Sequence, residues 1–154
     1  MEKGSYALVY QLEKDRNIEV GSLGEIDFPE GFYVYIGSAF GPGGLKRVER
    51  HRRLCKNGEG STRWHIDYLS TDRFFRLMRA YLVPREDVEC ILAGKLSGDM
   101  EEEFEDFGSS DCSCSSHLRG YTTMEMAARD IEQCLKTLEK VYRVKNFITG
   151  TDKE

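Results

Sequence analysis

The stretch that decides the fold is GFYVYIGSAFGPGGLKRVERHRR, residues 31–53, in which an aromatic strand meets a glycine turn and then a basic helix. In FYVYIG, residues 32–37, the two-residue period puts Phe32, Val34 and Ile36 on one face and Tyr33, Tyr35 and Gly37 on the other. The run GPGG, residues 41–44, breaks the strand and opens a helix of about three turns from Leu45, with Leu45, Val48 and Cys55 as a narrow apolar stripe. Between residues 44 and 56 this helix carries Lys46, Arg47, Arg50, Arg52, Arg53 and Lys56 against the single acid Glu49, with His51 among them. The whole chain has a formal charge of -5, so the cluster is local. It is either a solvated helix face or a surface for a polyanion, since a phosphate backbone attracts clustered cations whatever the charge elsewhere. Arg47 and His51, four positions apart, share a face and are placed to address one phosphate together.

Outward from that stretch, YALVYQL, residues 6–12, reads as an earlier strand, and residues 17–29 read as a hairpin or edge loop around Gly21 and Gly24. WHIDYL, residues 64–69, suits a short helix, and FFRLMRAYLV, residues 74–83, a strand stopped by Pro84. A second long helix is predicted from about Arg85 to Leu96, followed by the acidic run DMEEEFED, residues 99–106. The final amphipathic helix repeats Met124, Ala128, Ile131, Leu135, Leu138 and Tyr142 at helical spacing. Thr122 and Glu125 are its predicted capping box. That apolar stripe needs a partner, either the domain's own sheet or another subunit.

The 154 residues suffice for one core without a metal or disulfide framework, and 40% apolar with 32% charged residues is globular composition. No apolar run approaches the roughly 20 residues of a membrane span, and Met1 to Ser5 lacks a hydrophobic signal core, so a cytoplasmic protein without membrane contact is expected. Five cysteines make an odd count, and three lie in segments that read as helix, which favours reduced thiols. The loop DCSCSSH, residues 111–117, offers Asp111, Cys112, Cys114 and His117. Its C-x-C-x-x-H spacing supplies three soft ligands and no fourth nearby, so structural zinc is not expected and the loop reads instead as a polar lining of the active cleft, with Asp111 and His117. Glu89 interrupts the otherwise apolar VECILA, residues 88–93, either on an exposed stripe with Glu86 or as a partly buried acid able to hold a hard cation.

Gly4-Ser5-Tyr6, Tyr35-Ile36-Gly37, Arg47 and Glu89 together resemble the GIY-YIG nuclease superfamily. The likeness is strongest to its small prokaryotic, largely archaeal branch, sometimes found attached to endonuclease III-like proteins. YVYIGSA, the glycine turn, Arg47-x-x-Arg50-His51, WHIDYL, Glu89-Cys90-x-Leu92-Ala93 and FGSSDCSCSSHL carry it, across residues 4–118. The resemblance implies an α+β fold with a small, mainly antiparallel three-stranded sheet flanked by helices. The corresponding domain covers residues 1–121, and residues 122–154 form an added helical extension packed on it or on a partner. It also implies an endonuclease that hydrolyses DNA phosphodiesters with Mg2+ or Mn2+, in a DNA-repair setting and with a repair protein as possible partner. In those terms Tyr6 is the general base or its relay, Tyr35 orders the water, Arg47 stabilises phosphate charge with His51 beside it, and Glu89 binds the metal. Lys46, Arg50, Arg52, Arg53, Gly37 and Ser38 would contact the nucleic acid. Ser5 stands in place of the motif's isoleucine, a change expected to matter little. One residue fewer separates Leu45 from Arg47 than the motif has, which makes Arg50 a substitute for Arg47. Asp111 or His117 would take the place of the family's C-terminal asparagine. The rival readings are a nucleic-acid-binding module with the same fold that does not cut, and a domain that docks a repair partner.

Overall fold

β1 (Gly4–Leu12) lies at the centre of the sheet because its sequence, GSYALVYQL, is apolar on both faces and Gln11 alone among its residues is not fully buried. The computed structural model describes residues 2–109 and 112–147. β1 pairs antiparallel with β4 (Gly31–Ala39) on one side and with β5 (Phe75–Pro84) on the other. β6 (Leu118–Tyr121) extends the sheet beyond β4 and β7 (Arg143–Asn146) extends it beyond β5, giving the order β6-β4-β1-β5-β7. β2 (Arg16–Glu19) and β3 (Glu25–Phe28) form a separate hairpin, as the sequence suggests for residues 17–29.

The alternation in the strands sorts the core into two layers. Tyr6, Leu8, Tyr10, Tyr33 and Tyr35 pack under the hairpin, α1 (Arg47–Asn57) and α2 (His65–Ser70). Ala7, Val9, Val34 and Ile36 pack on the opposite side against α3 (Glu89–Lys95) and α4 (Met124–Thr137). The amphipathic stripe of α4 thus finds its partner on the chain's own sheet: Ala127, Ile131, Cys134 and Leu135 are buried in that second layer.

The architecture is α+β with an antiparallel sheet, as expected, but the sheet has five strands rather than three. β6 (LRGY) and β7 (RVKN) carry no apolar period; they are short, charged edge strands recruited by backbone pairing. The helix expected from Arg85 begins only at Glu89, because Arg85 takes a left-handed conformation, φ 64°, that turns the chain out of β5. The last helix ends at Thr137 rather than Tyr142, with Glu139 left-handed at φ 56°. Its N-cap is Thr123, whose hydroxyl accepts from the Met126 N–H at 3.1 Å. The neighbouring Thr122 is held instead by the Asp99 carboxylate.

Candidate active site

Tyr6 and Gly37 face each other on adjacent strands, β1 and β4. The Tyr6 ring fills the space over the glycine, where an added Cβ would lie 2.2 Å from the ring's Cζ. Gly37 is therefore required for room and not for an unusual backbone angle, and it does not serve to bring backbone close to an anion. The flexible glycines are those of the turn, Gly43 and Gly44, at φ 93° and 54°, which bend the chain from β4 into α1.

Behind Tyr6 runs a buried polar chain. The Tyr6 hydroxyl is 2.9 Å from His51 Nε2. His51 Nδ1 lies 4.0 Å from Asp67 Oδ1 and has no hydrogen-bond partner. Asp67, on α2, accepts from both terminal nitrogens of Arg50 at 3.1 and 3.0 Å, and from the backbone N–H of Arg63 and Trp64 at 2.7 and 3.0 Å. Burial alone would raise the Asp67 pKa; Arg50 and those two backbone donors outweigh it and hold the carboxyl below its ordinary range. Burial pushes the His51 pKa down to about 4 against the opposing pull of Asp67, so the imidazole is neutral at pH 7 and its Nε2 can accept a hydrogen bond from the Tyr6 hydroxyl. The Tyr6 and Tyr35 phenols are driven well above their ordinary value by burial.

The depressed His51 value has a consequence for stability. Between its ordinary pKa of 6.5 and about 4, the unfolded chain binds a proton at this position that the folded chain does not. Stability is therefore present above pH 6.5 and falls as the pH drops through that window, by on the order of 3 kcal/mol from this residue. Urea denaturation at stepped pH is expected to show the slope in the wild type and its flattening in His51→Leu; parallel slopes would remove His51 as the cause.

Tyr6 and Tyr35 open onto a cleft of about 500 Å³ together with Ser38, Arg47, Arg63, Trp64, His65 and Glu89. Arg47 is fixed at its mouth by donating to the Ser38 carbonyl at 2.6 Å. Trp64 has three guanidinium groups against its ring, Arg47 at 5.0 Å, Arg50 at 4.6 Å and Arg63 at 5.3 Å, which gathers positive charge on this side of the molecule. Glu89 enters from the first turn of α3, its side chain 25% exposed. Ser5 sets that approach: its hydroxyl, fully buried, donates to the Glu86 carbonyl at 2.8 Å and accepts from the Val88 N–H at 3.0 Å. Neither hydrogen bond could be made by an aliphatic side chain at this position. A partly buried carboxylate that lines an open polar cleft fits Mg2+ or Mn2+, which take one or two carboxylates and complete their shell with water and phosphate oxygens.

Of the residues singled out in the sequence, Tyr6, Tyr35, Ser38, Arg47 and Glu89 meet in this cleft. His51 does not stand beside Arg47 at the surface; it is fully buried, because α1 turns that position onto the same inward stripe as Val48 and Cys55. Arg50 is committed to Asp67 and does not substitute for Arg47. Arg52 pairs with Glu49 at 3.1 Å and lies over the Phe147 ring, whereas Lys46 and Arg53 are exposed and free to meet a partner. Gly37 lies beneath Tyr6, and His117 is buried with Nδ1 3.4 Å from Glu89 Oε2. Asp111 lies outside the described residues. Asp67 and Trp64 were legible only as parts of a short helix; the signal for Asp67 is its position three residues past the N-cap Trp64, from which it reaches back to the Trp64 N–H.

An antiparallel α+β domain that gathers two tyrosines, an arginine and a glutamate in one cleft is the class defined by this fold and site. The chain belongs to the family described as domain of unknown function DUF123, whose model matches residues 5–140. No curated protein and no solved structure matches it. Among the described residues no helix is long and apolar enough to cross a membrane.

Proposed function

We propose that this protein is a metal-dependent endonuclease of the GIY-YIG type that hydrolyses DNA phosphodiesters, with a place in DNA repair. The observation that carries the reading is the convergence of Tyr6, Tyr35, Arg47 and Glu89, drawn from two strands and two helices far apart in sequence, on one cleft. Arg47, already oriented by Ser38, offers fixed donors to the charge that develops on the scissile phosphate. Glu89 would hold Mg2+ or Mn2+, which when bound polarises the phosphoryl oxygen and stabilises the leaving group. Tyr6, its own proton held by a hydrogen bond to neutral His51, turns an oxygen lone pair to the attacking water and orients it, a role that needs no standing phenolate, which burial disfavours. Arg63, which lines the cleft, and the exposed Lys46 and Arg53 of the same basic stretch as Arg47 would supply sequence-independent contacts to flanking phosphates.

A second reading, a module that binds nucleic acid without cutting it, draws support from the burial of both phenols, Tyr6 at 2% and Tyr35 at 6% exposure. The two readings part in one assay. Purified protein with Mg2+ or Mn2+ is expected to nick branched, nicked or single-stranded DNA, and Tyr6→Phe to abolish nicking while the protein stays folded, somewhat less stable for the hydrogen bond lost to His51, and DNA affinity stays at the wild-type level. Salt-sensitive binding with no cleavage on any of these substrates would install the second reading in place of the first.

A further inference from the structure

Cys90 and the loop before β6 meet although 22 positions separate Cys90 from Cys112. Cys90 comes from the first turn of α3; Cys112, Cys114 and His117 come from the loop. One donor atom from each of these four residues lies within 4.8 Å of all the others. The fold thereby supplies the fourth soft ligand that the loop alone lacks.

We propose that Cys90, Cys112, Cys114 and His117 bind one tetrahedral zinc ion as a closed structural site. Three thiols and an imidazole are the donor set and the count that such sites use. With Zn–S bonds of about 2.3 Å the edges of the tetrahedron are about 3.8 Å, so the donors need to draw together by about 1 Å or less. None of the cysteines is in a disulfide, and three sulfurs this close repel as thiolates unless a cation lies among them.

A second observation, independent of the thiols, is the setting of His117. The ring is buried, with 1% of its surface exposed. Its Nε2 is 3.3 Å from Cys112 Sγ, on the thiol side, while Nδ1 points the other way, 3.4 Å from Glu89 Oε2 and with no hydrogen bond formed. An imidazole that turns one nitrogen to the metal and the other to a carboxylate is the usual arrangement around zinc, where the outer acid fixes tautomer and ring orientation. The backbone holds the loop ready for this. Asp106 N–H donates to Ser115 O at 2.7 Å, His117 N–H to Phe107 O at 2.8 Å, and Ile36 N–H to His117 O at 3.0 Å.

The ion ties the loop to α3 and acts on Glu89 only through His117, so its presence does not depend on the nuclease reading. The test reads metal rather than cleavage. Full-length protein, reduced, unfolded in chelator and refolded with excess zinc, is expected to retain one zinc per chain by mass spectrometry of the metal. Refolding with cobalt is expected to give thiolate charge-transfer bands and the intense visible bands of a tetrahedral site, both displaced by zinc. Cys90→Ser and Cys114→Ser are expected to weaken zinc binding by more than about a hundredfold, Glu89→Gln by roughly tenfold, and Cys134→Ser, whose thiol is on α4, not at all. Should a cysteine variant fail to fold, the wild-type cobalt spectrum and the Glu89→Gln titration carry the test. Substoichiometric zinc after refolding, a six-coordinate cobalt spectrum, unchanged affinity in the folded Cys90→Ser protein, or two of the three sulfurs found as a disulfide in freshly purified protein would each overturn the proposal.

Discussion

Glu89→Gln is expected to slow metal-dependent cleavage by roughly 10²–10³-fold, a loss of about 2.7–4 kcal/mol of transition-state stabilisation. The substitution keeps the size of the side chain and removes the negative charge, and a neutral amide is a poor ligand for a hard divalent ion. Because Glu89 is partly exposed at the start of α3 and lines the cleft, the sheet and both core layers are untouched by the change. The measurement is single-turnover cleavage at saturating zinc, with DNA affinity determined separately in the absence of Mg2+. Saturating zinc matters, since Glu89 also faces His117 and a fall in rate from a half-loaded structural site must be kept apart from a fall at the catalytic ion. A variant that cleaves at the wild-type rate would take the metal site away from Glu89.

Asp67→Ala is expected to cost about 3–5 kcal/mol of folding stability. The carboxylate is wholly buried and accepts from Arg50 twice and from the Arg63 and Trp64 backbone. Its removal leaves two backbone donors without partners and frees Arg50 from its place beside the Trp64 ring. The Arg50 side chain is 25% exposed and can turn to water, which puts the expected cost toward the lower end of that range. Asp67→Asn, which retains an acceptor oxygen for the backbone N–H groups, is expected to lose less. Urea denaturation of the two variants decides the matter: a loss for Asp67→Ala no greater than that of an ordinary surface substitution would mean that the Tyr6–His51–Asp67 chain is not a structural unit. Asp67 is also the group that favours a charged His51, so the alanine variant is expected to keep His51 neutral to a still lower pH.

Local pattern carried the centre of the fold and little of its edges. β1 and β4 were legible because a strand buried on both faces needs apolar residues at nearly every position, and the tyrosines at positions 33 and 35 mark which face is which. α1 and α4 were legible by their stripes. β7 was not, because all four of its residues are exposed and only its backbone joins the sheet, opposite Arg79 to Leu82. The same limit applies to the site. Tyr6, Tyr35, Arg47 and Glu89 were assembled from a motif, whereas the inward turn of His51 depends on which face of α1 meets the sheet. The union of Cys90 with the loop depends on where α3 starts, and Arg85 decides that by a backbone angle that no periodicity records.

α3 has seven residues, far fewer than a helix needs to persist by itself. Its position is borrowed from its neighbours: Ser5 secures the approach to its first turn, and at its far end the Arg119 guanidinium donates to the carbonyls of Ala93 and Leu96 while also reaching Ser116 O and Leu118 O. Such a segment belongs to the part of a protein that opens before the whole unfolds. The carboxylate of Glu89 and the thiol of Cys90 ride on it together, so one sub-global opening disconnects both while the five-stranded sheet remains paired. Amide exchange in α3 would then report on the integrity of both proposed metal positions at once, as a single cooperative unit.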